Sequence, residues 1–277
     1  MKFYTLILIM MLALASCGKI GKKVLNKNNK HTTMTTDSSK LVIEIWSDIA
    51  CPFCYIGKRR FENALDQVEF KESVKVVWRS FQLDPYAHYT PGLDLYEKLA
   101  QKYGKSRQWA VQMSQNVAAM GKEAGLVFNM DSVKTGNTLH AHRLIHLAAE
   151  SDKQNEAKEL LFQAYFTDGE NVEDIHGLKK LGAQLNLDSA EVSKVLESDQ
   201  YKKEVLEDQA NASAMGINGV PFFLFDGQLY VSGAQDVNHF VKALNQAYKN
   251  WKEKNQLSDK DKKYKNGAVC KPDGTCE

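Results

Sequence analysis

Two cysteines separated by two residues constrain the fold most, because the segments on either side predict where they lie. Residues 41–47 are mainly apolar and β-branched, which is typical of a buried strand. Residues 55–65 carry apolar side chains at helical spacing. Cys51-Pro52-Phe53-Cys54 is therefore predicted where a strand passes into the first turn of a helix. Proline is tolerated in that turn because its N–H groups have no intrahelical acceptor.

This position favours redox chemistry at the cysteine pair. Unpaired N–H groups and the helix dipole favour a thiolate, so the sequence predicts a pKa of Cys51 below that of a free cysteine. Cys54 lies one turn further and can resolve a mixed disulfide formed at Cys51. A static disulfide and a zinc half-site are the alternatives. Zinc would need two further ligands nearby, and the chain has no second CxxC motif.

The first seventeen residues predict export and anchoring. Lys2 precedes an apolar run, residues 6–14, that is too short to span a bilayer, which is typical of a signal peptide. Leu14-Ala15-Ser16-Cys17 resembles a bacterial lipobox, and this resemblance implies cleavage before Cys17 and lipidation of its thiol. An ordinary secretion signal is the alternative. If Cys17 carries lipid, the other four of the five cysteines form two close pairs with no odd thiol.

The remaining pattern predicts an α/β protein. Residues 74–81 form a second strand, which makes the start of the folded part a βαβ unit with parallel strands. A helical block follows, and then a hairpin turning at Asp226-Gly227 precedes a last helix over 235–253. This order fits a thioredoxin fold with an all-helical domain inserted after the first βαβ unit. The predicted segments are a signal peptide (1–16), a flexible tether (17–40), the first thioredoxin part (41–92), the helical insertion (93–211), the second thioredoxin part (212–253) and a charged tail (254–277).

Four segments in order resemble the DsbA family of thiol–disulfide oxidoreductases, and most closely its FrnE-like branch. The likeness covers about residues 41–250. The segments are Ile45-Trp46-Ser47-Asp48 with the CPFC motif and Tyr55-Ile56-Gly57, then Asn137-Thr138 with Ala141-His142-Arg143-Leu144, then residues 216–223, and finally Ser232-Gly233-Ala234-Gln235.

The resemblance implies that Val220-Pro221 is a cis peptide bond facing Cys51. A cis proline at the start of a strand leaves the preceding backbone free to pair with an extended substrate. We therefore predict Cys51, Cys54 and Pro221 as catalytic residues, and Val220, Pro52 and Phe53 as substrate-binding residues. An ordinary trans proline at the start of a strand is the alternative. Phe53 departs from the histidine of the family's CPHC motif, so Cys51 should be less acidic than in strongly oxidising members.

Two carboxylates and two further cysteines are additional candidates. Family members carry a buried acid that could shuttle the proton of Cys54, and Glu44 and Asp48 are the possible proton relay here. Glu44 fits the strand interior better, although an ordinary strand-end glutamate is an equal alternative. Cys270 and Cys276 enclose a Pro-Asp-Gly turn, and they form either a second redox pair or a plain staple.

These observations predict a membrane-anchored, exported enzyme of the bacterial cell envelope that exchanges disulfides with protein substrates. Its partners would be cysteine-containing envelope proteins, a redox partner that recharges Cys51 and Cys54, and the membrane through the lipid. No cofactor and no metal are predicted, because histidines on one helix face are more often core or surface residues than ligands. A net charge of +2 with mixed signs argues against nucleic acid as a partner. A small-molecule isomerase or glutathione-linked transferase of the same fold, and a non-catalytic folding helper, are the rival functions.

Overall fold

The computed structural model describes residues 21–22 and 40–266, and the side chains of residues 40–256. The predictions for the signal peptide, Cys17, most of the tether, Cys270 and Cys276 lie outside the described residues. No helix within the described ranges is long and apolar enough to cross a membrane.

A five-stranded mixed sheet forms the centre of the protein, in the order β1-β5-β4-β2-β3. β2 and β3 are parallel, with Leu41 opposite Val74 and Ser47 opposite Ser80, so the predicted βαβ unit is confirmed. The other neighbouring pairs are antiparallel. The strands are β1 (Gly21–Lys22), β2 (Leu41–Ser47), β3 (Val74–Ser80), β4 (Phe222–Phe225) and β5 (Leu229–Ser232). β1 belongs to the segment predicted as tether, and it pairs with β5 at the sheet edge.

Seven of the described helices lie between β3 and β4, which confirms the thioredoxin fold with a helical insertion. The helices are α1 (Pro52–Leu65), α2 (Leu95–Tyr103), α3 (Arg107–Glu123), α4 (Leu139–Ala149), α5 (Gln154–Phe166), α6 (Ile175–Gln184), α7 (Ser189–Glu197), α8 (Lys202–Ala214) and α9 (Val237–Asn266). α9 continues through a charged segment predicted to belong to the tail. Lysine is a good helix former, and residues 254–266 contain neither glycine nor proline, so nothing in that segment ends the helix.

The two faces of the sheet are covered by different helices. Ile43 and Ile45 share a face with Phe223 and Phe225, their partners on β4. Phe61 of α1 packs against both of these phenylalanines, so α1 covers this face. Neighbouring strand residues point to the opposite face, where the Trp46 indole donates a hydrogen bond to Asp208 O of α8 at 3.0 Å. A residue of β2 therefore faces either α1 or α8, and its position in the strand decides which.

Candidate active site

The cysteine pair lies at the start of α1, as the sequence predicts. Cys51 is the N-cap residue with extended backbone, and Pro52 is the first residue of the helix. The Cys51 N–H donates to Asp48 O at 3.2 Å, and the Cys54 N–H donates to Cys51 O at 3.0 Å. Both cysteines are free thiols. Cys51 is 4% exposed and Cys54 is fully buried, so the first sulfur of the pair is the more accessible one.

The loop before β4 closes over the first sulfur. The Val220–Pro221 bond is cis, as the family resemblance implies. Cys51 Sγ lies 3.7 Å from Val220 O. Gly57 of α1 makes room for this loop, because a Cβ on Gly57 would lie 2.9 Å from Pro221 Cγ. Sequence reasoning missed the role of Gly57, although a glycine inside a predicted helix indicates a close approach of this kind.

The two residues between the cysteines lie at the surface. Phe53 is 39% exposed although it is large and apolar. Pro52 and Val220 are half-buried. The predicted substrate-binding residues are therefore accessible beside a sulfur that faces a backbone carbonyl.

Asp48 is buried directly before the cysteine motif and anchors the surrounding backbone. Its carboxylate accepts hydrogen bonds from the N–H groups of Leu83 at 2.7 Å and Ala50 at 3.4 Å. The Nε2 of His142, in α4, lies 3.3 Å from the same carboxylate. Burial raises the pKa of Asp48, but His142 and the Leu83 N–H outweigh burial and hold this pKa below its ordinary value. Burial lowers the pKa of His142, and its Nδ1 has no hydrogen-bond partner among the described residues.

Glu44 lies on the other face of the sheet from α1. It neighbours Leu224 and Val77 in the sheet, one residue out of phase with Ile45. Its carboxylate accepts from the Arg79 guanidinium at 2.7 Å, and this guanidinium also lies 3.4 Å from Asp208 of α8. The preference for Glu44 as the buried acid is therefore wrong. Asp48 is the carboxylate that is buried beside the motif.

Lys158 of α5 is a buried charged residue that sequence reasoning missed. It is 1% exposed, and its Nζ donates to Ser47 O, at the end of β2, at 3.2 Å. The ammonium also lies over the rings of Trp78 and Phe162, at 5.5 Å and 5.2 Å from their centroids. Burial lowers the pKa of Lys158 to about 8. The sequence carries one signal for it, since Lys158 continues the apolar stripe of α5 one turn before Leu161.

The predicted lowering of the Cys51 pKa is wrong for the reduced pair. The hydrogen bond with the Cys54 side chain raises the pKa of Cys51 most, followed by burial, and the Cys54 and Asp48 charges add to this. The hydrogen bond from the Cys54 N–H acts in the opposite direction. The helix start by itself favours a thiolate at Cys51, and the rest of the site opposes it. The reduced site holds two sulfurs in one dry space, which opposes a second negative charge.

Together these features define a class of protein. A CxxC pair starts the first helix of a thioredoxin fold, a cis proline faces it, and a helical domain is inserted between β3 and β4. The DSBA-like thioredoxin domain matches residues 42–245, and the chain belongs to this family. It carries a DsbA-like thiol–disulfide oxidoreductase domain with Cys51 and Cys54 as its CxxC pair.

Known relatives support this assignment. The chain is similar to a probable DsbA oxidoreductase from Streptomyces coelicolor, with 38% identity and a TM-score of 0.71 over 75% of this chain and 90% of that one. It is 30% identical to the uncharacterized protein YwbO of Bacillus subtilis over 75% of this chain and 97% of the relative. A 2-hydroxychromene-2-carboxylate isomerase shares the fold alone, with 11% identity, 78% of this chain and 98% of that one covered, and a TM-score of 0.54.

Proposed function

We propose that this protein catalyses thiol–disulfide exchange with other proteins through Cys51 and Cys54. The observation that carries the proposal is the difference between the two sulfurs. Cys51 keeps a small exposed fraction of 4% and its Sγ lies against Val220 O, whereas Cys54 is fully buried. An incoming protein sulfur can therefore reach Cys51, and Cys54 can react only within the site.

The exchange follows from this arrangement. In the reducing direction, the Cys51 thiolate attacks a substrate disulfide, forms a mixed disulfide and releases one substrate thiolate, which takes up a proton. The Cys54 thiolate then attacks Cys51 Sγ, forms the Cys51–Cys54 disulfide and releases the second substrate sulfur as a thiol. Two electrons pass from the pair to the substrate. The oxidising direction runs through the same steps in reverse.

We assign the substrate contacts to the residues around Cys51. The Val220–Pro221 loop holds an extended substrate segment, and Pro52 and Phe53 contact its apolar side chains. The partly exposed Phe53 ring and the nearness of Val220 O to Cys51 Sγ support this assignment. The partners would be cysteine-containing proteins and a redox partner that restores the pair.

We further propose that the protein acts outside the cytoplasm, as a lipid-anchored member of the FrnE-like branch in the cell envelope. The Leu14-Ala15-Ser16-Cys17 segment supports anchoring through Cys17. The expected result is membrane association of the expressed chain and its release by Cys17→Ala. A wild-type chain that remains in the soluble fraction contradicts the anchor and leaves the exchange chemistry standing.

Insulin reduction in the presence of dithiothreitol tests the exchange function. The wild-type chain should accelerate the precipitation of insulin chains, and Cys51→Ser should abolish the acceleration. Lys98→Met is the control, since it changes an α2 side chain that bonds the backbone carbonyls of His88 and Thr135 and should leave the acceleration in place. A wild-type chain without activity contradicts the proposal. That result would favour a folding helper, or an enzyme acting on small molecules with this fold.

A further inference from the structure

The helical insertion contributes a positive charge to the redox site. Lys158 lies beneath the end of β2, where Ser47 O accepts its Nζ hydrogen bond at 3.2 Å. Phe162, one turn further along α5, stacks on Tyr55 with a centroid distance of 4.8 Å. Tyr55 directly follows Cys54 in the chain. The same side of α5 thus contacts Ser47, at the end of the strand before the motif, and Tyr55, the residue directly after the motif.

The charge of Lys158 is not used in an ion pair. No carboxylate of the described residues lies within ion-pair distance of its ammonium, and the groups around it are a carbonyl and two aromatic rings. An isolated buried ammonium is costly, so a packing role alone would be served better by methionine. This cost is explained if the charge acts on a group that becomes negative during the reaction.

The titratable groups facing Lys158 identify that group. The charge of Lys158 interacts with the two sulfurs and Lys58 of α1. It also interacts with Asp48, directly after β2, and with His142 of α4. Among the charges that raise the pKa of Lys158, that of Cys54 has the largest effect. Cys54 is also the sulfur that no substrate can reach, since it is fully buried. Its thiolate therefore depends on the protein for stabilisation.

We infer that Lys158 is a positioning residue for the redox pair, whose charge stabilises the Cys54 thiolate when Cys51 is held in a mixed disulfide. This inference rests on the proposed function. The step converts the mixed disulfide and the Cys54 thiol into the Cys51–Cys54 disulfide and a free substrate thiol, which receives the proton of Cys54. In the oxidising direction the same charge stabilises Cys54 as the leaving thiolate.

The test isolates the step at Cys54. The full chain, with Cys17, Cys270 and Cys276 changed to alanine, is reduced and reacted with 5,5′-dithiobis(2-nitrobenzoate). Attack by Cys51 releases one equivalent of coloured thionitrobenzoate. Attack by Cys54 on the resulting mixed disulfide releases the second equivalent in a first-order phase that does not depend on reagent concentration.

Lys158→Met should slow the second phase about tenfold at neutral pH. Without the positive charge the attacking anion at Cys54 is less favourable to form, and this loss outweighs the gain in its nucleophilicity. The difference should vanish well above pH 8, because wild-type Lys158 is then neutral as well. Lys158→Gln, which keeps a donor for Ser47 O without the charge, should behave like Lys158→Met.

Lys98→Met is the matched control. Among the described residues, Lys98 Nζ likewise bonds backbone carbonyls, those of His88 and Thr135, and burial lowers its pKa as well. It should leave the second phase unchanged at every pH.

Three outcomes would overturn the inference. The second phase of Lys158→Met could be unchanged at neutral pH, it could be slowed equally at all pH values, or Lys158→Gln could match the wild type. A wild-type chain that shows no second phase contradicts the proposed function itself, so the two failures are distinguishable.

Discussion

Two lysines near the cysteine pair, one in α1 and one in α5, are buried to the same degree but have different neighbours. Lys58 of α1 is 2% exposed and Lys158 of α5 is 1% exposed. Lys58 Nζ contacts Glu62 at 2.7 Å and Glu159 at 2.6 Å. Lys158 Nζ contacts one backbone carbonyl and two rings. Carboxylates in direct contact therefore compensate the burial of the first lysine, whereas no carboxylate of the described residues contacts the second.

This difference suits Lys58 to a structural role and Lys158 to the proposed role of stabilising a thiolate. Glu159 also accepts hydrogen bonds from Tyr55 and Arg59, so Lys58 belongs to a network that ties α1 to α5. In such a network the charges satisfy one another. An ammonium without a carboxylate remains available to a nearby thiolate, at a cost in stability. The comparison predicts opposite effects of the same substitution at the two sites.

The largest effect is expected for Lys58→Met. This change leaves Glu62 and Glu159 without their shared buried cation, although both carboxylates retain access to water. Removing one partner of a buried pair costs about 3–5 kcal/mol, and the exposure of the carboxylates reduces the expected loss to about 2 kcal/mol. Urea denaturation measures it. A free energy of unfolding equal to that of the wild type would place Lys58 outside the structural network.

The effect of Lys158→Met should have the opposite sign and stabilise the protein at neutral pH by about 1–2 kcal/mol. Burial lowers the pKa of Lys158 from 10.5 to about 8. Between these values the unfolded chain binds the proton more strongly, so wild-type stability rises with pH through this window. The advantage of the variant should therefore shrink from about pH 8 to about pH 10.5. Denaturant unfolding at several pH values measures this, and a destabilised variant would contradict the comparison.

A smaller effect is expected for Asp48→Asn, which removes a buried negative charge that raises the pKa of Cys51. The pKa of Cys51 should fall by about half a unit, since the carboxylate raises it without bonding the sulfur. The rate of Cys51 alkylation against pH, in a Cys54→Ala background, gives this value. An unchanged profile would show that Asp48 only anchors backbone.

The smallest effect is expected for Glu44→Gln. Glu44 pairs with Arg79 on the face of the sheet that α8 covers, so the chemistry at Cys51 and Cys54 should not change. The expected cost in stability is below about 1 kcal/mol, because the pair is partly exposed. The second phase of thionitrobenzoate release tests this. A slower second phase with Glu44→Gln would support Glu44 as the proton relay and contradict its placement outside the site.

The parts of the fold that are determined by residues close together in the sequence could be predicted from it. The strand before the motif, the helix after it and the hairpin at Asp226-Gly227 each have a local pattern, and the family resemblance adds the cis bond at Pro221. Strand alternation also places Glu44 on the face of the sheet away from Ile43 and Ile45. Asp48 escapes the alternation because β2 ends at Ser47 and the chain turns there.

The charged surroundings of the site could not be predicted in this way. His142 and Lys158 come from α4 and α5, about 90 to 110 residues after the motif. Their contacts with Asp48 and Ser47 depend on how the insertion packs on the end of the sheet. The pKa of Cys51 depends on burial and on the second thiol, which the helix start alone does not reveal.

Trapping of a mixed disulfide tests the central claim most directly. The Cys54→Ala chain is incubated with a disulfide-bonded protein such as insulin, and the covalent product is digested and mapped by mass spectrometry without reduction. The account predicts a substrate cysteine linked to Cys51, and no such complex when Cys51→Ala is added to the variant. A Cys54→Ala chain that forms no covalent complex, or forms one that survives the loss of Cys51, would contradict the account.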